Sequence, residues 1–177
     1  LIRDEHRYDM YDLQTEFPAP PIPRERISEI SERTNAKGLV VETPTAADLK
    51  RIADELRAQN VESVGICLIN SYANPANERA IADYLRVELG VPVCISSEVS
   101  PQIREYPRMI TTACNAATMP VIGPYLDELT KWLAAEGFGG SVLMMLSNGG
   151  VVSTDDAART PIRLVESGPA AGALAGS

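Results

Sequence analysis

The sequence predicts an α/β fold built from parallel strand–helix crossovers. Three short apolar runs, at residues 38–42, 62–69 and 91–96, alternate with two segments whose apolar residues recur at helical spacing. The middle run lies in "VESVGICLIN", which reads as a continuous strand covered on both faces. Because the joints are short, the alternation of three strands with two helices implies two right-handed parallel crossovers.

The amino-terminal stretch, residues 1–36, is predicted to be a proline-rich arm or linker. It is polar and contains "FPAPPIP" at residues 17–23. Prolines at this density favour extended backbone and exclude a central strand. Residues 37–177 are therefore expected to form the α/β body.

The two helices between the strands carry recognisable end signals. In residues 43–60, Thr43 is the expected N-cap, and the proline after it suits the first helical position. In residues 74–90, Asn74 is the expected N-cap and Gly90 the stop signal.

The second half is interrupted by prolines. Pro120 and Pro124 argue against one unbroken helix, so we expect one helix over about 105–118 and another over about 120–136. After it, strand 141–146, a turn at "SNGG" and strand 151–153 are expected to lead into a short helix begun by Ser153 or Thr154. A last strand is predicted at residues 162–166, followed by a helix after Pro169.

Charge and composition exclude several classes of function. The 177 residues carry a formal net charge of −8, with a pI near 4.7, and the acidic residues are spread along the chain. Nucleic acids and anionic membranes require a basic surface, so neither is an expected partner. No apolar run approaches the roughly 20 residues of a membrane span.

Cysteine and histidine usage excludes further chemistry. Cys67, Cys94 and Cys114 are odd in number and widely spaced, so we expect reduced core thiols in a cytoplasmic protein. The one histidine is His6. A Ser-His-Asp triad in the body and a histidine-based zinc site are therefore not expected, and no metal site is predicted.

Two glycine-containing segments are candidate ligand sites. "SGPAAG" resembles a phosphate-binding loop in composition, but it lacks the lysine of a P-loop and the spacing of a dinucleotide fingerprint. A helix of small residues that lets another helix approach closely is the favoured interpretation. "SNGG" ends a strand, where α/β sheets place ligands, but an ordinary turn between two strands is favoured there.

The stretch "REYPRMITTACN" places Arg108, Thr112 and Asn115 on one helix face. Polar groups on an apolar segment can line a cleft. They are equally typical of a partly solvated helix with a surface Glu–Arg pair of little energetic value. The residues alone leave both interpretations open.

Three stretches together resemble the hydantoinase A / 5-oxoprolinase family. They are "NPANE", "EVSPQIREYPRMITTACNA" and "LSNGGVVSTDDAARTPIRLVESGPAAGALAG". The resemblance extends from about residue 36 onward. One departure is Pro107–Arg108, where the family usually has Glu-Arg, so any role of that acid is lost or moved to Glu105.

The resemblance implies part of one lobe of the actin-like fold shared with sugar kinases and heat-shock chaperone ATPases. In that fold two Asp-x-Gly-Gly-Thr-like turns hold the ATP phosphates, and neither turn occurs in this sequence. "ESGPAAGALAG" looks like the start of the helix that connects the lobes. The chain is thus expected to be an internal fragment, with residues 1–36 reaching from the upstream lobe, and to bind no cofactor alone.

The implied activity of the full-length parent is ATP- and Mg²⁺-dependent opening of a hydantoin or 5-oxoproline ring. The alternatives are an acetone/acetophenone-type carboxylase subunit and a non-catalytic interaction domain. A hydantoinase B-type subunit is a possible partner under this resemblance. Arg108 is expected to hold a phosphate or carboxylate, while Thr112 and Asn115 bond the substrate ring. The expected cleft-lining turn positions are Ser147, Asn148, Gly149, Gly150 and Gly168.

Overall fold

Helices and short strands alternate along the first half of the chain. The structure is a computed structural model and describes residue 14 and residues 19–176, except for the side chains of residues 174 and 175. The strands are β1 (Arg33–Thr34), β2 (Val40–Glu42), β3 (Val64–Ile66), β4 (Val93–Ile95), β5 (Leu143–Met145) and β6 (Val151–Ser153). The helices are α1 (Ala46–Ala58), α2 (Ala76–Leu89), α3 (Ser96–Val99), α4 (Glu105–Ala135), α5 (Thr154–Arg159) and α6 (Ser167–Ala175). His6 and part of the predicted arm, residues 1–13 and 15–18, lie outside the described residues.

The parallel crossover β3–α2–β4 forms the centre of the fold, as predicted. Gly65 pairs with Cys94, and the residues on either side pair in register. The crossover helix ends at Gly90, whose φ of 66° is left-handed, as expected for a glycine stop. The N-cap of α2 is Pro75, not the predicted Asn74, although Asn74 Oδ1 accepts a hydrogen bond from the Ala76 amide at 3.0 Å.

Two apolar layers cover the two faces of this small sheet. One face packs against α1 and α2, and its buried residues are Ile52, Ala53, Leu56, Ile66, Ile81, Ala82, Leu85, Val93 and Ile95. On the other face Cys94 packs with Val99 and with Ala116 of α4. Strand β4 is buried on both sides, which explains its uninterrupted apolar sequence.

The first predicted strand does not join the parallel sheet. Strand β2 instead pairs antiparallel with β1. The turn between them is local: the Asn35 side chain accepts from two backbone amides, and Gly38 takes a φ of 78°. The domain boundary predicted at residue 36 falls inside this hairpin and stays a prediction.

Helix α1 begins two residues later than predicted. Thr45, not Thr43, is the N-cap, and it forms a reciprocal capping box with Asp48. The hydrogen bond from Thr45 holds the pKa of the Asp48 carboxyl below its ordinary value of 3.8. A threonine with an acid three residues later is a stronger start signal than a threonine before proline.

Helix α4 is one helix of 31 residues, so the predicted break before Pro120 is wrong. Pro120 and Pro124 both lie inside it. The helix is anchored on both sides of the prolines by buried Ala116 and Leu126, and this packing outweighs the lost backbone bonds. Gly137, with a φ of 84°, follows the helix as the predicted stop.

The last predicted strand, residues 162–166, is also absent. Pro161–Leu164 forms a 3₁₀ turn. The Ile162 amide donates to Asn115 Oδ1 at 3.2 Å, and the Arg163 amide donates to the Thr160 carbonyl at 3.1 Å. These bonds use amides that a strand would have offered to a neighbour.

The predicted hairpin and short helix are present. Strands β5 and β6 pair antiparallel, and Met145 lies opposite Val151. The Ser153 side chain caps α5 by accepting from the Asp156 amide at 3.1 Å. None of the helices in the described part of the chain is both long and apolar enough to cross a membrane.

The three cysteines are free thiols, as predicted, but they do not share one environment. Cys94 is buried and Cys67 is half-buried, whereas Cys114 is exposed on α4, so its predicted core position is wrong. Burial raises the pKa of both the Cys67 and the Cys94 thiol.

Alkylation is expected to distinguish these thiols. At pH 8 and without reductant, the folded protein reacts with iodoacetamide first at exposed Cys114. The other two react more slowly because burial and a raised pKa reduce their accessible thiolate. Mass spectrometry after unfolding should count three modified sites, and a count below three would contradict the assignment of three free thiols.

A second expectation concerns the close approach of β3 to α4. A Cβ at Gly65 would lie 3.3 Å from the Thr112 carbonyl oxygen and 3.4 Å from the Ala116 methyl group. Gly65→Val should therefore lower the free energy of unfolding by about 1–3 kcal/mol through overpacking. Gly123→Ala on α4 is the control, since nothing lies within 4 Å of its Cβ position and helix propensity favours alanine. Urea unfolding measures both, and a Gly65→Val protein as stable as the parent would refute the close contact.

Candidate functional site

A buried polar cluster lies where the two parallel strands end. This is the edge at which open α/β sheets bind ligands. We call it the carboxyl-edge network, comprising Ser71, Glu78, Ser96, Ser97 and Arg108. All but Ser97 are at most 2 % exposed.

The Glu78 carboxylate is the acceptor at the centre of the network. It projects from the first turn of α2 and is fully buried. Oε1 accepts from the Leu68 amide at 2.9 Å and from Ser96 Oγ at 2.6 Å. Oε2 accepts from the amide and the hydroxyl of Ser97 at 3.0 and 2.7 Å. One side chain thus joins α2 to the ends of both parallel strands.

The Ser96 hydroxyl links this carboxylate to Arg108. Its one proton is donated to Glu78, so its lone pairs are left to accept from neighbours. Arg108 Nε donates to Ser96 Oγ at 3.0 Å, and the Ser71 hydroxyl lies 3.1 Å from the same oxygen. The buried anion and cation are therefore coupled through one hydroxyl.

Arg108 also bonds the backbone on either side of the network. Its two terminal nitrogens donate to the Gln102 carbonyl at 2.7 Å and to the Leu68 carbonyl at 2.6 Å. The guanidinium carbon lies 5.5 Å from the centre of the Tyr72 ring, within cation–π range. Burying this charge is tolerated because its hydrogen bonds and the nearby carboxylate compensate for lost hydration.

The other two predicted cleft residues lie on the same buried face of α4 as Arg108. Thr112 donates its hydroxyl to the Arg108 carbonyl at 2.7 Å, one turn back in the helix. The Asn115 amide donates to the Arg159 carbonyl at 3.0 Å, and its oxygen accepts from the Ile162 amide. The shared face is as predicted, and contact with a substrate stays a prediction.

The predicted turn residues occupy a separate part of the fold. In the hairpin turn the Gly150 amide donates to Asn148 Oδ1 at 3.0 Å, and Gly149 has a φ of 82°. The Ser147 amide donates to the Arg163 carbonyl at 2.9 Å, which ties this turn to the segment held by Asn115. Gly168 lies in the first turn of α6 with no heavy atom within 4 Å of its Cβ position. A close helix partner for the small residues of α6 is thus not present among the described residues.

Sequence reasoning missed Glu78 and Ser96. Glu78 belongs to "NPANE" at the start of α2. An acidic residue in the first turn of a helix usually lies at the surface, where it interacts favourably with the helix dipole. The available signal was the pair Ser96–Ser97 directly after β4, on the same sheet edge. Within the described residues no group of three or more His, Cys, Asp or Glu could hold a metal ion.

Removing the Glu78 charge should destabilise the fold strongly. Each carboxylate oxygen of Glu78 accepts two hydrogen bonds. In Glu78→Gln an NH₂ group replaces one of these oxygens, so two buried donors lose their acceptor and meet another donor. The free energy of unfolding should fall by about 2–4 kcal/mol. Glu98→Gln changes the same charge at an exposed position and should shift it by less than about 0.5 kcal/mol. Equal effects of the two variants in urea unfolding would show that the network does not support the fold.

Comparison with known proteins gives matches along almost the whole chain. The alpha subunit of caprolactamase from Pseudomonas jessenii is 33 % identical over 98 % of this chain and 25 % of its own length. The 5-oxoprolinase of Saccharomyces cerevisiae is 33 % identical over 76 % of this chain and 10 % of its own length. The chain thus spans a quarter or less of these relatives.

Two solved structures match the fold. The nucleotide-free structure of acetone carboxylase superposes with a TM-score of 0.76 and 28 % identity. The ATP-dependent caprolactamase from Pseudomonas jessenii gives 0.69 and 31 %. Each match covers 87 % of this chain and 22 % of the other. The predicted fold class, an α/β part of one actin-like lobe with a parallel crossover, is confirmed.

Family models agree with these matches. Residues 1–89 match the hydantoinase/oxoprolinase N-terminal region, and residues 108–177 match the hydantoinase/oxoprolinase model. The residues between the two matches, 90–107, contain β4, α3 and the start of α4, beside the carboxyl-edge network. On these grounds the chain belongs to the hydantoinase/oxoprolinase family.

Proposed function

We propose that this chain is part of an ATP-dependent enzyme that hydrolyses a cyclic amide. The observation that carries the proposal is the 33 % identity to the caprolactamase alpha subunit over 98 % of the chain. Caprolactam is a cyclic amide, and so is the substrate that gives 5-oxoprolinase its name. The acetone carboxylation and the caprolactamase represented by the two matched structures are both ATP-dependent.

The proposed chemistry explains why ATP is required. An unstrained amide carbonyl is a poor electrophile, and transfer of a phosphoryl group to its oxygen makes it reactive toward water. Phosphoryl transfer depends on positioned backbone amides and a Mg²⁺ ion held by carboxylates. The Asp-x-Gly-Gly-Thr turns that would supply them do not occur in this sequence. This chain therefore contributes framework and cleft wall to the reaction, and ATP and Mg²⁺ bind to other parts of the enzyme.

Arg108 is the proposed contact to a phosphate or carboxylate in the assembled enzyme. Three of its five N–H groups donate, to Ser96 Oγ and to the Gln102 and Leu68 carbonyls, which fixes the plane of the guanidinium. The two remaining N–H groups are the proposed donors, and because Arg108 is 1 % exposed, a ligand reaches them only when the residues that cover the guanidinium move aside. Thr112 and Asn115 hold the same helix face in place, and the Ser147–Gly150 turn with Gly168 forms the proposed second wall.

A carboxylase subunit is the second candidate function. The acetone carboxylase structure superposes better, with a TM-score of 0.76 against 0.69, although its identity is lower. Both functions need ATP to activate a carbonyl or carboxyl oxygen. Because the caprolactamase relative is an alpha subunit, we also propose that the enzyme works with a partner subunit.

Substrate-stimulated ATP hydrolysis distinguishes the two functions. The complete polypeptide that carries this sequence, with its partner subunit, is assayed for phosphate release with caprolactam, 5-oxoproline, hydantoin, or acetone plus bicarbonate. Stimulation by a cyclic amide with ring-opened product supports the hydrolase. Stimulation only by acetone plus bicarbonate would replace it with the carboxylase, and no stimulation by any of them would contradict both.

The chain alone is expected not to bind ATP with useful affinity. It lacks both phosphate turns and the lysine of a P-loop. Isothermal titration of the 177-residue chain with Mg-ATP should give no measurable binding in the micromolar range. A micromolar dissociation constant would show that "SGPAAG" or "SNGG" forms a phosphate site by itself.

A further inference from the structure

The segment Ser100–Arg104 connects α3 to α4 and covers one edge of the Arg108 guanidinium. Arg108 Nη1 donates to the Gln102 carbonyl at 2.7 Å, and Arg108 as a whole is only 1 % exposed. The segment itself faces solvent, because residues 101–104 are all exposed. At this edge the buried charge is therefore separated from water by a short connection between two helices.

Apolar burial contributes little to holding this connection in place. Ile103 is 69 % exposed, so its side chain gains almost nothing from the observed position. Arg104 has a φ of 82° and a ψ of 107°, which is a strained conformation for a residue with a Cβ atom. Segments with few buried apolar contacts open locally at low cost in free energy. Because Val99 and Arg108 are buried on either side, such opening is confined to the connection.

Opening exposes a guanidinium with donors to spare. The described residues supply three acceptors for the five N–H groups of Arg108. Loss of the Gln102 carbonyl leaves Nη1 with two N–H groups without a partner, beside the remaining one of Nη2. Donors on two neighbouring nitrogens match two oxygens of a carboxylate or phosphate. The bonds to Ser96 and to the Leu68 carbonyl persist and keep the guanidinium oriented.

We propose that Ser100–Arg104 is a lid over Arg108, and that it opens when an oxyanion replaces the Gln102 carbonyl on Nη1. This inference rests on the proposed function, which makes Arg108 the contact to a phosphate or carboxylate. The lid is the route by which that ligand reaches a charge buried in the folded chain. It also controls binding strength, because the apparent affinity equals the intrinsic affinity multiplied by the fraction of open lids.

Arginine modification by phenylglyoxal measures lid opening. The reagent requires an accessible guanidinium, so Arg108 of the 177-residue chain reacts only while the lid is open. Mass spectrometry of proteolytic peptides gives the modified fraction of Arg108. Arg79, an exposed residue of α2, reports the reactivity of the reagent in the same sample. The ratio of the two rates follows the open fraction, because loop motions are much faster than the modification.

Matched proline variants test the lid. Pro101→Gly should raise the rate ratio about two- to fivefold, since glycine restores backbone freedom to the open lid. Pro44→Gly makes the same exchange before α1, on the opposite face of the sheet from α4, and should leave the ratio unchanged. Thermal unfolding confirms that each variant folds, and Ile103→Gly replaces Pro101→Gly if that variant does not. An unchanged ratio in the lid variant would contradict the lid, and so would an equal rise in both variants, which indicates global unfolding.

Inorganic phosphate tests the ligand. At equal ionic strength, replacing chloride by phosphate should lower the ratio of Arg108 to Arg79 modification at least about twofold, because a bound oxyanion shields the guanidinium. Pro101→Gly should reach the same protection at an about two- to fivefold lower phosphate concentration. A ratio that phosphate leaves unchanged would overturn the inference. These measurements need no turnover, so the lid can fail while substrate-stimulated ATP hydrolysis supports the proposed function, and the reverse.

Discussion

The fold depends on one buried carboxylate. Glu78 accepts four hydrogen bonds from two segments that are far apart in sequence: Leu68, just after β3, and the pair Ser96–Ser97, which begins α3 directly after β4. Since Ser96 passes the interaction on to Arg108, α4 is attached to the same point. Apolar packing alone would let helices slide over so small a sheet, because it is non-directional. The fixed geometry of these hydrogen bonds sets the register between α2, the strands and α4.

Sequence reasoning succeeded where the determining interactions are local. The stop of α2 at Gly90, the Ser153 cap of α5 and the β5–β6 hairpin depend on neighbouring residues, and all were predictable. It failed where distant contacts decide the outcome. Packing on both sides of Pro120 keeps α4 whole, and the side chain of Asn115 takes an amide that the predicted last strand needed. In both cases tertiary structure overrides local propensity.

The candidate site was predictable only in part for the same reason. The spacing of Arg108, Thr112 and Asn115 places them on one face, and the structure has them there. Spacing does not indicate whether such a face meets solvent, a ligand or other protein groups. Glu78 and Ser96 lie 18 positions apart, and no periodicity connects them. The substrate is equally hard to predict, because an acetone carboxylase and a caprolactamase both match this fold.

The long helix α4 connects the two regions that the family models treat separately. The family models separate an N-terminal region ending at residue 89 from a second region beginning at residue 108. Yet the first three turns of α4 pack against β3 and β4 through Arg108, Thr112 and Ala116. These contacts oppose independent movement of the two matched regions. With 31 residues α4 is about 47 Å long. It contacts the parallel strands and also α5 and the 3₁₀ turn at Pro161–Leu164, so it joins the sheet to the segments that follow the hairpin.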